Sequence, residues 1–115
     1  MKIKKARQIL KSLADDTRLR IINLLKHKKE INVTELCEIL DKNQSNMSKH
    51  LTRLRLTGIV GDRRERNNVH YFLASPTNTA HKELLNSITK GFTNIAVFKE
   101  DLKKLESRKN NKNRR

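Results

Sequence analysis

One stretch, Asn43 to Thr57 (NQSNMSKHLTRLRLT), concentrates the side chains best suited to recognising a polyanion. Gln44, Ser45, Asn46, Ser48, Lys49, His50, Thr52, Arg53 and Arg55 are amides, hydroxyls, an imidazole and cations, with no carboxylate among them. Amides and hydroxyls donate and accept, and the cations pair with oxyanions. A solvated helix surface normally mixes both signs of charge. A face of this composition suits phosphate oxygens and base edges instead. A second basic group follows at Arg63, Arg64 and Arg66. The remaining reactive groups are sparse. Cys37 and the histidines His27, His70 and His81 have no spacing that assembles a catalytic group or a metal site, and no glycine-rich phosphate loop is present.

The stretch needs a scaffold, and its own apolar residues describe one. Met47, Leu51 and Leu54 fall at i, i+4 and i+7, a single stripe at helical period. Asn43 caps this helix and Gly58 ends it. Before it, Val33, Leu36, Cys37 and Leu40 form the inner face of a short helix, with Asn32 as cap and Glu35 three residues on. Asp41-Lys42 is the turn, so the pair reads as a helix-turn-helix. Further back, Ile3 to Ala14 has helical spacing. Asp15 caps a second helix reaching about Lys28, with Leu19, Ile21, Ile22 and Leu25 inside and Arg18 and Arg20 outside.

After Gly58 the period changes. Ile59–Glu65 and Val69–Leu73 read as two strands joined by Arg66-Asn67-Asn68, a hairpin wing spanning 59–73. Isolated arginine clusters often decorate a solvated hairpin. Adjacency to a helix-turn-helix favours contact of Arg63, Arg64 and Arg66 with a phosphate backbone or minor groove. Ser75 to Asn78 breaks the pattern. One long helix is then expected from about Ala80 to Glu106, too long for a small core to bury alone, and so a dimerisation element beside the first helix. Residues 1–106 are expected to form one DNA-binding and dimerisation domain, and 107–115 a basic, disordered tail.

Composition sets bounds on these readings. The chain has 115 residues, with 27 Lys and Arg against 12 Asp and Glu, a net charge of +15. That excess points to a polyanionic partner. No apolar run approaches the ~18 residues of a spanning helix, so no membrane partner is expected. Aromatics are 3% of the chain, too few for a base-stacking platform. One cysteine excludes an intrachain disulfide and fits the cytoplasm.

Two motifs together resemble a known family. Leu13-Ala14-Asp15-Asp16-Thr17-Arg18-Leu19-Arg20-Ile21-Ile22 resembles the opening signature of the ArsR/SmtB transcriptional repressors, with Asp16 where that signature has proline. Gln44-Ser45-Asn46-Met47-Ser48-Lys49-His50-Leu51 resembles their recognition-helix motif, continuing into Leu54, Gly58, Ile59, Val60, Val69, Tyr71 and Leu73. The resemblance implies a mainly α winged helix-turn-helix (α-α-α-α-β-β-α), a homodimer pairing through its first and last helices, and repression from a pseudo-palindromic operator in double-stranded DNA. It implies DNA contact from Gln44, Ser45, Ser48 and His50, with Asn46, Lys49 and Arg53 on or near that face. The metal sites of the family are not reproduced. Glu35-Leu36-Cys37 starts the box for soft metals but lacks its second cysteine. Thr79-Ala80-His81 supplies one imidazole of another site, whose later positions are Phe92 and Ile95. No metal or other cofactor is therefore expected. His81 is expected at the surface, and Cys37 as a small core residue with a redox switch as its alternative. The competing functional class is a non-specific architectural or RNA-binding winged helix. Enzymatic activity is not expected.

Overall fold

A computed structural model describes residues 2–74, 79–92 and 94–113. The order of elements is α1 (Ile3–Leu13), α2 (Asp16–His27), β1 (Ile31–Asn32), α3 (Val33–Leu40), α4 (Gln44–Leu56), β2 (Val60–Glu65), β3 (Asn68–Leu73), α5 (Thr79–Lys90) and α6 (Ala96–Asn113). Three side chains start three helices, each at the residue the sequence marks. Asp15 accepts the Arg18 N–H at 3.0 Å, Asn32 that of Glu35 at 2.8 Å, and Asn43 that of Asn46 at 2.7 Å. Each satisfies a donor that the helix itself cannot, which stabilises by about 1 kcal/mol.

The core lies where α1, α2, α3 and α4 meet. Ile9, Ile21, Leu24, Leu36 and Ile39 are in one buried cluster with Met47, Leu51 and Leu54, which have no exposed surface. Burial of each such side chain contributes about 1.5–3 kcal/mol. The apolar stripe of α4 is thus fastened to α2 and α3, and its polar positions must face outward. Asp41, in the left-handed region at φ 54°, turns the chain between α3 and α4.

The sheet has three strands rather than two, in the order β1-β3-β2, all antiparallel. β1 pairs Ile31 with Tyr71 and Asn32 with His70. Asn32 is therefore both a strand residue and the cap of α3. Two residues are too few to show an alternating pattern, so this strand is silent in the sequence. β2 and β3 form the wing, with Glu65 opposite Asn68. The left-handed residue at its tip is Arg66 (φ 56°), not the asparagine that turn chemistry favours.

The C-terminal region departs from the single helix expected over 80–106. α5 stops at Lys90, where Gly91 and Phe92 donate to the carbonyls of Ile88 and Thr89, a tightened last turn. The chain then reverses around Phe92 and Phe98, whose rings meet edge to face at 4.8 Å. α6 returns to α2 and α3, burying Phe98, Asp101 and Leu105. α5 also packs against the core, through Leu84, Leu85 and Ile88. Arg20, expected outside, lies against Asp101 through two hydrogen bonds of 2.8 and 2.9 Å. α6 also runs past residue 106, where the sequence places the start of a tail. α6 continues to Asn113, since residues 107–113 hold neither proline nor glycine to stop it. Arg108, expected in a loose tail, reaches α3 and pairs with Glu38, with Glu35 at 3.9 Å. Residues 114 and 115 lie outside the described part.

Candidate nucleic-acid interface

With its stripe buried, α4 presents Gln44, Ser45, Asn46, Ser48, Lys49 and Arg53 to solvent. No acidic residue occupies its first turn, and Arg53 and Arg55 sit in its last. The positive end of the helix dipole is thus unopposed by a neighbouring carboxylate on α4. The exposed surface has the donors and acceptors that the sequence suggests, held on a helix whose inner side cannot rotate without exposing Met47, Leu51 and Leu54.

His50 is placed differently from the others. It turns toward α2, where Arg18 Nη1 donates to its Nδ1 at 3.2 Å and Asp15 Oδ1 lies 3.6 Å away. Its side chain is 16% exposed. The ring is thus held in a contact inside the fold, apart from the exposed side chains of α4.

The wing divides its arginines. Arg63 is held on Glu30 at 2.8 Å and on Glu65 at 3.1 Å. The hydrogen bonds to Glu30, then those to Glu65, hold its guanidinium above its usual range. Glu30 is 33 residues earlier in the chain, which is why a local reading of the basic cluster misses the pair. Arg64 and Arg66 are exposed, and neither makes an ion pair with a described residue. On the wing's other face Asp62 opposes Tyr71 and Arg64 opposes Val69. Burial pushes the Tyr71 phenol up and Asp62 adds to this, while Arg55 and Arg64 act against it. The end of α4 and the inner face of the wing thus share one patch of charge. Arg55, part of the carboxylate-free face in the sequence, is exposed at that junction.

Arg66 makes one consequence measurable. A non-glycine residue in the left-handed region costs about 1–2 kcal/mol. Arg66→Gly should relieve this and raise stability by about 0.5–1 kcal/mol after glycine's own entropy cost. Urea unfolding is the measure. A loss of stability would show instead that the arginine side chain holds the turn.

The sensing candidates are set back from this surface. Cys37 is half-buried against the core, and burial pushes its thiol up, away from the reactive thiolate. His81 corrects its expected surface position, being 6% exposed. It packs where Gly58, at φ 77°, has no side chain, so that a Cβ there would lie 3.9 Å from the His81 ring. Burial, and then Lys5, lower its tendency to protonate. Among the described residues no three His, Cys, Asp or Glu side chains converge.

A capped helix-turn-helix, an exposed carboxylate-free second helix and an adjoining hairpin define a winged helix-turn-helix domain. The family described as bacterial regulatory protein, arsR family, matches residues 15–61. The arsenical resistance operon repressor of Escherichia coli (strain K12) is 45% identical over 67 residues, 58% of this chain and 57% of that protein. The chain thus aligns with little more than half the length of that relative. The transcriptional activator HlyU of Vibrio cholerae is 39% identical over 84 residues, 73% of this chain and 77% of that protein. The structure of reduced HlyU superposes with a TM-score of 0.66 at 34% identity, covering 78% of this chain and 90% of that one. A Mycobacterium bovis domain, described as a homodimeric winged helix-turn-helix DNA-binding domain, gives 0.64 at 26% identity over 78% and 82% of the two chains. The chain belongs to the ArsR family of regulatory proteins. These relatives are regulators or DNA-binding domains, not enzymes, as the sequence suggests.

Proposed function

We propose that this protein is a dimeric, sequence-specific DNA-binding regulator that acts as a repressor in the cytoplasm. The observation that carries this reading is the outer face of α4, exposed and free of carboxylates above a fully buried stripe. α4 would enter the major groove, where the Gln44 amide can meet an adenine edge and Ser45 and Ser48 can meet bases or phosphates. Asn46, Lys49 and Arg53 would hold the flanking phosphates. Arg64 and Arg66 extend the contact from the wing, to the backbone or minor groove. Ile3 and Leu10 share one face of α1 and are 84% and 51% exposed. That face, with α5, is the natural pairing surface for a second copy, as befits a relative described as homodimeric. Two α4 helices would then meet a pseudo-palindromic site in grooves about 34 Å apart.

Selection of bound duplexes from a random pool, followed by competition against random DNA at physiological salt, tests this reading. A preference of at least about 10³-fold is expected for a specific site. A ratio near unity would instead favour a non-specific or RNA-binding role. On the selected duplex, Arg66→Gly should reduce the salt slope by about one unit. An unchanged slope would remove Arg66 from the interface.

A further inference from the structure

One guanidinium joins three helices at the place where α4 is held. Arg18 Nε donates to the Ser12 carbonyl at 2.5 Å, in the last turns of α1. Its Nη1 donates to Nδ1 of His50, halfway along α4. Its backbone N–H is taken by Asp15, the cap of α2, whose second carboxylate oxygen lies 4.0 Å from Nη1. The Arg18 and His50 side chains are 12% and 16% exposed, so water competes weakly for either. The apolar stripe fixes which side of α4 faces the core but tolerates sliding along the helix axis. A directed hydrogen bond from a planar, forked donor does not.

We infer that Arg18 and His50 are positioning residues that set the height and roll of α4 against α1, and that this setting requires the neutral imidazole. The inference rests on the proposed DNA-reading role of α4, and it adds how that helix is held and when it is released. Arginine can only donate, so Nδ1 must be unprotonated and the ring proton must be on Nε2. Protonation would put an N–H on Nδ1, facing a guanidinium at 3.2 Å. The ring's charged groups of concern are Asp15 and Arg18 from α2, and Lys42 from the turn between α3 and α4. Burial lowers the tendency of His50 to protonate, Arg18 and Lys42 lower it further, and Asp15 alone opposes them. A lowered value means that the folded state prefers the neutral ring. The network is therefore complete above the unfolded histidine value of about 6.5, and is lost as pH falls through the lower folded value. In the protonated state Asp15 would take the imidazolium and Arg18 would lose its partner on α4. Because α1 belongs to the proposed pairing surface, the same change would also loosen the two reading helices of a dimer from their common frame.

The full chain supports a test with two independent readouts. Nitrogen-15 imidazole spectra without DNA should show His50 as the Nε2–H tautomer, and Arg18→Lys should alter its Nδ1 signal. The ratio of binding to selected over random duplex should hold above about pH 6.5 and fall as pH drops below it, through the folded value of His50. His50→Gln, which can still accept from Arg18 but cannot titrate, should remove that pH dependence. Arg18→Lys, which lacks the fork, should lower the ratio about tenfold at neutral pH, the size of one charge-assisted hydrogen bond. Thermal unfolding reports whether each variant remains folded. A pH profile unchanged in His50→Gln, or an Nδ1–H tautomer in the wild-type chain, would overturn the inference. If the wild-type chain prefers no duplex at neutral pH, the DNA-reading proposal fails on its own, and the tautomer still decides the arrangement of Arg18 and His50.

Discussion

Arg20→Ala is expected to destabilise the fold by about 3–5 kcal/mol, because it leaves a buried carboxylate without its cation. Asp101 is 1% exposed, and its two oxygens take the Nε–H and an Nη2–H of Arg20. Breaking one side of such a pair costs far more than the pair contributes relative to apolar residues of similar size. Asp101→Ala should cost less than Arg20→Ala, since the Arg20 side chain keeps 19% of its surface and can recover some hydration. Replacing both, as Arg20→Met with Asp101→Leu, should restore much of the loss. Urea unfolding of the wild type, the two alanine variants and Arg20→Ala combined with Asp101→Ala forms a double-mutant cycle, with the apolar replacement measured beside it. Equal, small losses in both single variants, summing in the double, would show that the pair is not coupled in solution. The site matters because the pair joins α2, against which α4 packs, to α6, which closes over α2 and α3.

Gln44→Ala combined with Ser48→Ala should reduce the preference for a selected duplex over random DNA by about a hundredfold, at 1–3 kcal/mol for a good base contact. Both side chains are exposed, so stability should be nearly unchanged. Low-salt binding to random duplex should persist, because the proposed phosphate contacts of Lys49, Arg53, Arg64 and Arg66 would be untouched. Competition titrations at two salt concentrations separate the terms. Equal losses on selected and random DNA would contradict a base-reading role for the pair.

What the sequence made legible was local. The caps at Asp15, Asn32 and Asn43 act on donors three residues away, and the stripe Met47, Leu51 and Leu54 follows the helical repeat. The helix-turn-helix, the wing and most of the exposed α4 surface could be written down from such spacings. What stayed hidden depended on partners distant in the chain. Arg63 is a wing cation by sequence, but Glu30 holds it. His50 shares a polar helix with Ser48 and Lys49, yet Arg18 draws it inward. The reversal after Lys90 was hidden for another reason. α5 and α6 both bury apolar faces, so Ile88, Phe92, Ile95 and Phe98 continue one helical rhythm through the break. A lone glycine costs a helix only about 1 kcal/mol, too little to announce a reversal.

The short strand β1 bears on the wing in a further way. By pairing with β3 it makes β3 the central strand of the sheet, with neighbours along both edges at Tyr71 and His70. The base of the wing therefore cannot swing or slip in register without breaking bonds on two sides. Fixing one residue's backbone costs about 1–2 kcal/mol of conformational entropy. For the base of the wing that cost is met during folding, so a partner docking on Arg64 and Arg66 encounters a lever that is already stiff.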